Sequence, residues 1–210
     1  MKRTLASLTG VVMGLALLAP SGALAFGLGA YVEGAAGSVD WTFEDEFGRD
    51  FDVDGDEKRG TFGFVLDTAV AKDTLFNYRL SVGFSRFDAD FDDVGETLEL
   101  SGLVVDNTFG FGVYRSESLR LWLGPQVRLA FYTGEFEDSG FEVDVIEFAL
   151  APVVGLNLHL GKTMSLAFAA GYRFSGFAGS DEDDDDITGS GREVFGNLSL
   201  LFRLGDDRWR

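Results

Sequence analysis

Apolar and polar residues alternate with a period of two along most of this 210-residue chain. In "SLAFAAGYRFS" (165–175), Leu166, Phe168 and Phe174 fall on one face and Arg173 falls on the other. This alternation is typical of a β-strand whose two faces meet different surroundings. The apolar spacing of three and four residues that an amphipathic helix needs is not sustained after residue 25. The chain is therefore predicted to be all-β.

The alternating segments predict eight strands, each bounded by turn-forming or charged residues. The predicted strands are 27–42, 60–71, 76–88, 97–114, 119–134, 142–160, 164–177 and 192–204. Breaks in the alternation near Gly34–Gly37, Arg86 and Gly102 predict β-bulges or points of strong twist.

The predicted connections alternate between short and long. Three are tight turns: "AKDT" (71–74), "RSES" (115–118) and "GKT" (161–163). The other four are longer, hold most of the 35 acidic residues and cover 44–60, 88–99, 135–144 and 180–193. Successive connections of an up-and-down sheet lie at opposite ends, so one end is predicted to be compact and the other strongly acidic. The acidic run 181–186 is expected to be a solvated part of the last long loop.

The first 25 residues have the features of an export signal. Lys2 and Arg3 precede a short apolar core, and Ala23-Leu24-Ala25 resembles a cleavage site. We therefore predict a signal peptide at 1–25 and one barrel domain at 26–210. The net charge of −18 disfavours nucleic acid as a partner, and the absence of Cys excludes disulfides and thiolate metal sites.

An even number of strands, export and connections of unequal length at the two ends are typical of an outer-membrane barrel. The prediction is an eight-stranded antiparallel up-and-down transmembrane β-barrel in the outer membrane, with both termini in the periplasm. Aromatic residues near both ends of the strands predict two interfacial belts. The belt near the long connections would contain Trp41, Phe43, Phe87, Phe91, Phe131, Phe136, Phe141 and Phe177. A soluble carrier barrel with its apolar faces turned inward is the remaining alternative.

The sequence resembles the small eight-stranded outer-membrane barrel proteins typified by the OmpA membrane domain and OmpX. The resemblance is carried by the Ala23-Leu24-Ala25 signal end, "AGYRF" (170–174) and the closing strand "VFGNLSLLFRL" (194–204). It implies outer-membrane lipid and lipopolysaccharide as surroundings and the barrel-assembly machinery as a partner during biogenesis. In that family the last strand commonly ends the chain with an aromatic residue, whereas Phe202 is followed here by "RLGDDRWR".

Charged residues at predicted inward positions indicate how the lumen is filled. They are Glu33, Asp67, Arg79, Asp106, Arg120, Arg128, Glu147 and Arg173. An eight-stranded barrel is just wide enough for side chains to fill, so these charges should pair and block flow. We therefore predict a structural or interaction role through acidic extracellular loops, with an extracellular partner that the sequence does not identify. The alternative is small-molecule transport, through an OmpW-like hydrophobic channel or a narrow pore.

One ion pair is predicted by position. A hairpin between the predicted strands 60–71 and 76–88, centred on Asp73, places Asp67 opposite Arg79 inside the barrel.

Two further patterns bear on chemistry. Asp50, Asp52 and Asp54, followed by Gly55, have the spacing that begins an EF-hand loop, but Thr61 occupies the twelfth position. They predict a weak Ca²⁺ or Mg²⁺ site and no other cofactor. The single histidine, His159, has Ser165 as its nearest hydroxyl across the predicted hairpin, without an acid placed to orient its ring. We therefore predict no enzymatic activity.

Overall fold

The structure is a computed structural model that describes residues 26–44, 50–68, 75–91, 95–137, 140–161, 163–181 and 186–204. The predicted signal peptide lies outside these residues, as does most of the acidic run 181–186. The described residues form eight strands: β1 (Phe26–Glu44), β2 (Asp50–Asp67), β3 (Phe76–Phe91), β4 (Glu96–Arg115), β5 (Leu119–Phe136), β6 (Glu142–Leu160), β7 (Met164–Asp181) and β8 (Asp186–Leu204). No helix in the described ranges is long and apolar enough to cross a membrane.

The strands form one closed antiparallel barrel in which each strand pairs with its neighbours in sequence. β1 closes the ring by pairing with β8 from Phe26↔Leu204 to Phe43↔Ile187. Closure gives each of the eight described strands two neighbours, so none of them is an edge strand, although residues 50–55 of β2 pair with β1 alone. The fold is therefore the predicted eight-stranded up-and-down barrel. We call the end that holds Phe26 and Leu204 the terminal end and the opposite end the acidic end.

The strands reach further toward the acidic end than predicted. β2 begins at Asp50 and β8 at Asp186, whereas the sequence placed their starts at 60 and 192. The long acidic connections predicted at this end are therefore wrong, because most of their residues belong to strands of up to 20 residues. The predicted bulges are also wrong: the pairing is regular through Gly34–Gly37, Arg86 and Gly102. A register shift instead occurs between Gly112 and Tyr114, opposite β5.

The phase of the hydrophobic pattern reverses along every strand while the backbone pairing continues. Near the terminal end, large apolar side chains point outward and are exposed. One example from each strand is Val32, Phe64, Phe84, Leu103, Leu123, Phe148, Phe174 and Val194. Near the acidic end, the apolar side chains point inward and are buried; examples are Trp41, Val53, Phe87, Leu98, Phe136, Val145, Phe177 and Ile187. We call this change the polarity switch; it accounts for the breaks in alternation that had predicted bulges.

Between the terminal end and the switch, which we call below the switch, the outward apolar side chains form an apolar belt around the barrel. Between the switch and the acidic end, which we call above the switch, the inward apolar side chains form an apolar plug. The plug is one continuous cluster in which Trp41 stacks on Phe177 with ring centroids 5.0 Å apart. Phe87 and Phe136 belong to the same cluster. Six aromatic residues predicted to form an interfacial belt are therefore inside the barrel instead: Trp41, Phe43, Phe87, Phe91, Phe136 and Phe177.

Candidate functional site

A network of buried charges fills the middle of the lumen, between the apolar plug and the terminal end. The network consists of three arginines and five carboxylates, all at inward strand positions: Arg59, Arg128, Arg173, Glu33, Glu57, Asp106, Glu147 and Glu193. Because the strand period is two and the barrel is narrow, inward side chains from opposite walls meet. Burial of an unpaired charge lowers the stability of the folded state. The contacts within this network therefore determine how far each buried charge is compensated.

Arg128 and Arg173 form one half of the network around Glu33. The Arg128 guanidinium donates to Asp106 through Nε at 2.8 Å and to Glu33 through Nη2 at 2.5 Å. Arg173 donates to Glu33 through Nη2 at 3.0 Å and also to Glu193. Arg173 lies over the Phe195 ring, 4.1 Å from its centroid. One carboxylate therefore bridges two guanidiniums in the centre of the barrel.

Arg59 organises the half of the network that lies beneath the plug. Its Nη1 donates to Glu147 at 2.6 Å, and its guanidinium lies 4.7 Å from the centroid of Phe87. Glu147 also accepts a hydrogen bond from Ser175 Oγ at 2.6 Å. Glu57 lies further away, with 3.5 Å between its Oε2 and Arg59 Nη2. Arg59 thus links the charged middle of the lumen to the aromatic residues above it.

A second, smaller polar group lies toward the terminal end. Asp67 and Arg79 face each other in the β2–β3 ladder, which is the register expected from a hairpin centred on Asp73. Arg79 donates to Asp67 Oδ2 through Nε at 3.0 Å and Nη2 at 2.7 Å. Arg79 also contacts Asn157, which accepts a hydrogen bond from the indole of Trp122 at 3.2 Å. Arg120 is buried in the same region and donates to the Leu75 carbonyl.

All eight charges that the sequence placed at inward positions lie inside the barrel and are buried. Three members of the central network, Glu57, Arg59 and Glu193, are not among the charges predicted to face the lumen. The sequence places them in acidic loops because acids and glycines are frequent in their segments. The missed signal for Glu57 and Arg59 is the alternation at the start of "DFDVDGDEKRG" (50–60), where three acids alternate with Phe51 and Val53.

The network and the plug together occlude the lumen. Glu33, Asp106, Arg128, Glu147 and Arg173 are each 5% exposed or less, although a water-filled channel would wet them. Above them the plug side chains are buried to a similar degree.

The cation site predicted at Asp50, Asp52 and Asp54 does not have the predicted loop geometry. β2 begins at Asp50, and the ladder pairs Asp52 with Thr42 and Asp54 with Asp40. An extended strand separates same-face residues by two residues of rise, which differs from the tight turn of an EF-hand loop. Within the described ranges, no group of three or more His, Cys, Asp or Glu side chains is arranged to hold a metal ion.

The acids near the acidic end instead form a band on the outer surface, which we call the acidic collar. Its members point outward above the apolar belt: Asp40, Asp52, Asp54, Asp56, Asp88, Asp90, Glu99, Glu135, Glu142 and Asp144. Two cations of the same face pair with it, Lys58 with Asp90 at 3.4 Å and Arg86 with Asp88 at 3.1 Å. Between Glu99, Glu135 and Asp144 the surface has an open polar groove of about 490 Å³.

His159 and Ser165 meet at the terminal end. His159 Nδ1 lies 3.0 Å from Ser165 Oγ, and Arg203 Nε donates to the same oxygen at 2.9 Å. Ser165 is fully buried, so its hydroxyl does not face solvent or the outer surface. A serine nucleophile has to reach its substrate, and this hydroxyl is enclosed by the barrel wall.

No family model matches the chain. No curated protein matches it either. Similar solved structures include Neisserial surface protein A, at 13% identity over 80% of this chain and 96% of that chain, with a TM-score of 0.42. The outer membrane protease OmpT from Escherichia coli matches at 8% identity over 86% of this chain and 97% of that chain, with a TM-score of 0.45. Ail, the attachment invasion locus protein of Yersinia pestis, matches at 15% identity over 83% and 99%, with a TM-score of 0.35.

Proposed function

We propose that the chain is an integral outer-membrane barrel with an occluded lumen that acts by presenting its acidic collar to the outside. The observation that carries the proposal is the apolar belt. Phe62, Phe64 and Leu103 are each more than 60% exposed and belong to a belt that encircles the wall. A soluble protein rarely exposes so much contiguous apolar surface, whereas lipid tails cover it without cost.

The polarity switch supports one position of the barrel in the bilayer. On β3 the outward face changes from Phe84 to Arg86 and Asp88, and on β2 it changes from Phe62 to Lys58 and Asp56. Charged side chains on the lipid face are unfavourable at the middle of a bilayer, so the upper ends of the strands project into water. We place the collar outside the cell and both termini in the periplasm, as is general for such barrels.

An occluded lumen favours an interaction or structural role over transport. The alternative, transport of apolar molecules through the upper lumen, would require the plug around Trp41 and Phe177 to open. The polar surface available for contact is the collar, whose negative charge disfavours nucleic acid and favours cationic surfaces. We propose that the collar contacts an extracellular partner that the sequence does not identify, and that the protein has no catalytic activity.

Outer-membrane lipid, lipopolysaccharide and, during biogenesis, the barrel-assembly machinery are the proposed partners. Carboxylates repel the phosphates of lipopolysaccharide, and Ca²⁺ or Mg²⁺ between the two would reduce this repulsion. We therefore propose that the outward carboxylates of the acidic collar, including Asp52 and Asp54, bind these ions weakly, and that no single loop forms the site.

Fractionation and conductance together test the proposal. The chain with its signal is expressed in a Gram-negative host, and the membranes are washed with carbonate. We expect the protein in the outer-membrane fraction, and release into the soluble periplasm would contradict the membrane assignment. The purified protein is then reconstituted into planar bilayers beside a porin as positive control. We expect no steady single-channel current, and a stable ohmic current would favour the transport alternative.

A further inference from the structure

The charges of the central network do not cancel. Five buried carboxylates face three buried guanidiniums, so full ionisation would leave this part of the lumen with an excess of negative charge. The arginines nearer the terminal end, Arg79 and Arg120, belong to the group around Asp67. An uncompensated charge in a solvent-excluded interior is unfavourable enough that a carboxylate takes up a proton instead.

Glu57 is the carboxyl group with the weakest compensation. The other four carboxylates of the network each accept a hydrogen bond from a guanidinium; they are Glu33, Asp106, Glu147 and Glu193. Among the residues that the structure describes, neither oxygen of Glu57 has a hydrogen-bond partner, although the residue is only 1% exposed. Within the described ranges, the cation that forms an ion pair with Glu57 is Arg59, at 3.5 Å, and Arg59 is already engaged by Glu147.

Glu57 borders the same small space beside Gly191 as two residues of the apolar plug. A Cβ added at Gly191 would lie 3.2 Å from Phe177, 3.3 Å from Val39 and 3.6 Å from Glu57 Oε1, so the same small space borders all three residues. Phe177 in turn stacks on Trp41. A neutral carboxyl group is compatible with these apolar neighbours, whereas a carboxylate at this position would favour the entry of water.

We propose that Glu57 is a proton-binding site, neutral in the folded barrel at neutral pH, whose ionisation loosens the apolar plug. The charged groups that face it are Arg59 on its own strand, Glu147 on β6, Arg173 on β7 and Glu193 on β8. On β1 the facing residues are Gly37, paired with Glu57, and the apolar Val39. The inference concerns the interior of the barrel and holds whether or not the collar binds a partner.

The electrostatics of the site agree with the geometry. Burial raises the pKa of Glu57 to about 8; Arg59 opposes this shift, while Glu193 and Glu147 reinforce it. Glu57 lies above the apolar belt, between the outward Asp56 and Lys58, so its surroundings are set by the lumen and not by lipid.

Infrared difference spectroscopy of the full chain in lipid bilayers tests the proposal directly. We expect a carboxylic acid C=O band at neutral pH that disappears with a midpoint near pH 8. Glu57→Gln is nearly isosteric and should abolish the band, whereas Glu142→Gln in the exposed collar should leave it unchanged. Absence of the band in the wild type, or its persistence in Glu57→Gln, would overturn the proposal.

Two further measurements complete the test. The first uses a second variant in case Glu57→Gln does not fold, and the second follows the apolar plug. Glu193→Gln removes a repelling neighbour, so the midpoint should move to lower pH, and an unchanged midpoint would contradict the assignment. Quenching of tryptophan fluorescence by a water-soluble quencher should increase above the midpoint in the wild type. The increase should be absent in Glu57→Gln, and an equal increase in both proteins would refute the link between Glu57 and the plug.

Discussion

Asp67 and Arg79 show how a single pair constrains the lumen at the scale of residues. The pair is buried, makes two hydrogen bonds and lies beside Trp122, whose ring centroid is 5.3 Å from the guanidinium carbon. Its position follows from sequence because the hairpin register and the inward parity are both fixed by the pattern. The orientation of Trp122 does not follow in this way, since it depends on the shape of the opposite wall.

Charge reversal should show whether Asp67 and Arg79 stabilise the protein by interacting with each other or independently of each other. Asp67→Arg or Arg79→Asp leaves two like charges buried together and should lower the free energy of unfolding by about 3–5 kcal/mol. The double reversal restores an ion pair and should recover a large part of that loss. Urea unfolding in detergent micelles measures all four proteins. A double variant no more stable than the weaker single variant would mean that the two side chains do not interact.

Close packing between Gly155 and Trp122 gives a second prediction at this scale. A Cβ at Gly155 would lie 2.0 Å from the Trp122 ring, and both residues are enclosed by the barrel. Gly155→Ala should therefore destabilise the protein by about 1–3 kcal/mol. Gly34→Ala is the matched control, because a Cβ there meets nothing within 4 Å. Equal unfolding midpoints for the two variants would show that the ring moves aside without cost.

The strands, as elements, were predicted well near the terminal end and poorly near the acidic end. The sequence predicts β6 with its observed bounds, Glu142–Leu160, but it predicts a loop for ten residues of β2. The cause is the polarity switch: on the upper part of β2 the acids are outward and Val53 is inward. Composition alone made this part resemble a loop. Only the persistence of period two across the change of phase identifies it as strand.

Single-cysteine labelling along β3 should locate the switch. The chain has no native cysteine, so each variant carries one label site. Spin labels at the outward Val82 and Phe84 should be relaxed by oxygen dissolved in lipid, and labels at the outward Asp88 and Asp90 by a water-soluble paramagnetic complex. The preference should reverse near Arg86. The same preference at all four sites would contradict the proposed membrane boundary.

For the whole molecule, the sequence predicts the class of barrel but not how its interior is divided. The eight strands, their order and the inward charges follow from alternation. The plug does not, because Phe87 and Phe177 look the same in sequence whether they face lipid or one another. Their facing depends on where along the barrel the outer surface changes from apolar to charged.

Global stability should depend on pH through Glu57. The pKa of Glu57 in the folded barrel, about 8, lies above that of an unfolded glutamate, so the folded state binds more protons between the two values. Stability should therefore fall as the pH rises through this interval and stay at the lower level above it. Glu57→Gln should match the wild type at about pH 5 and exceed it in stability at about pH 9. The measurement is urea unfolding of both proteins over this pH range. A difference in stability between Glu57→Gln and the wild type that is the same at every pH would contradict this expectation.

The polarity switch also fixes the vertical position of each strand against its neighbours. In a barrel strand with one uniform alternation, a slip of two residues returns every side chain to its own face and costs little in burial. Here the same slip moves residues across the switch: on β3 it would carry Phe84 into the charged zone or Phe87 into the charge network. The polarity switch, which is present on all eight strands, therefore specifies the register between neighbouring strands during assembly. It also determines which side chains face the outside of the barrel and which face the lumen.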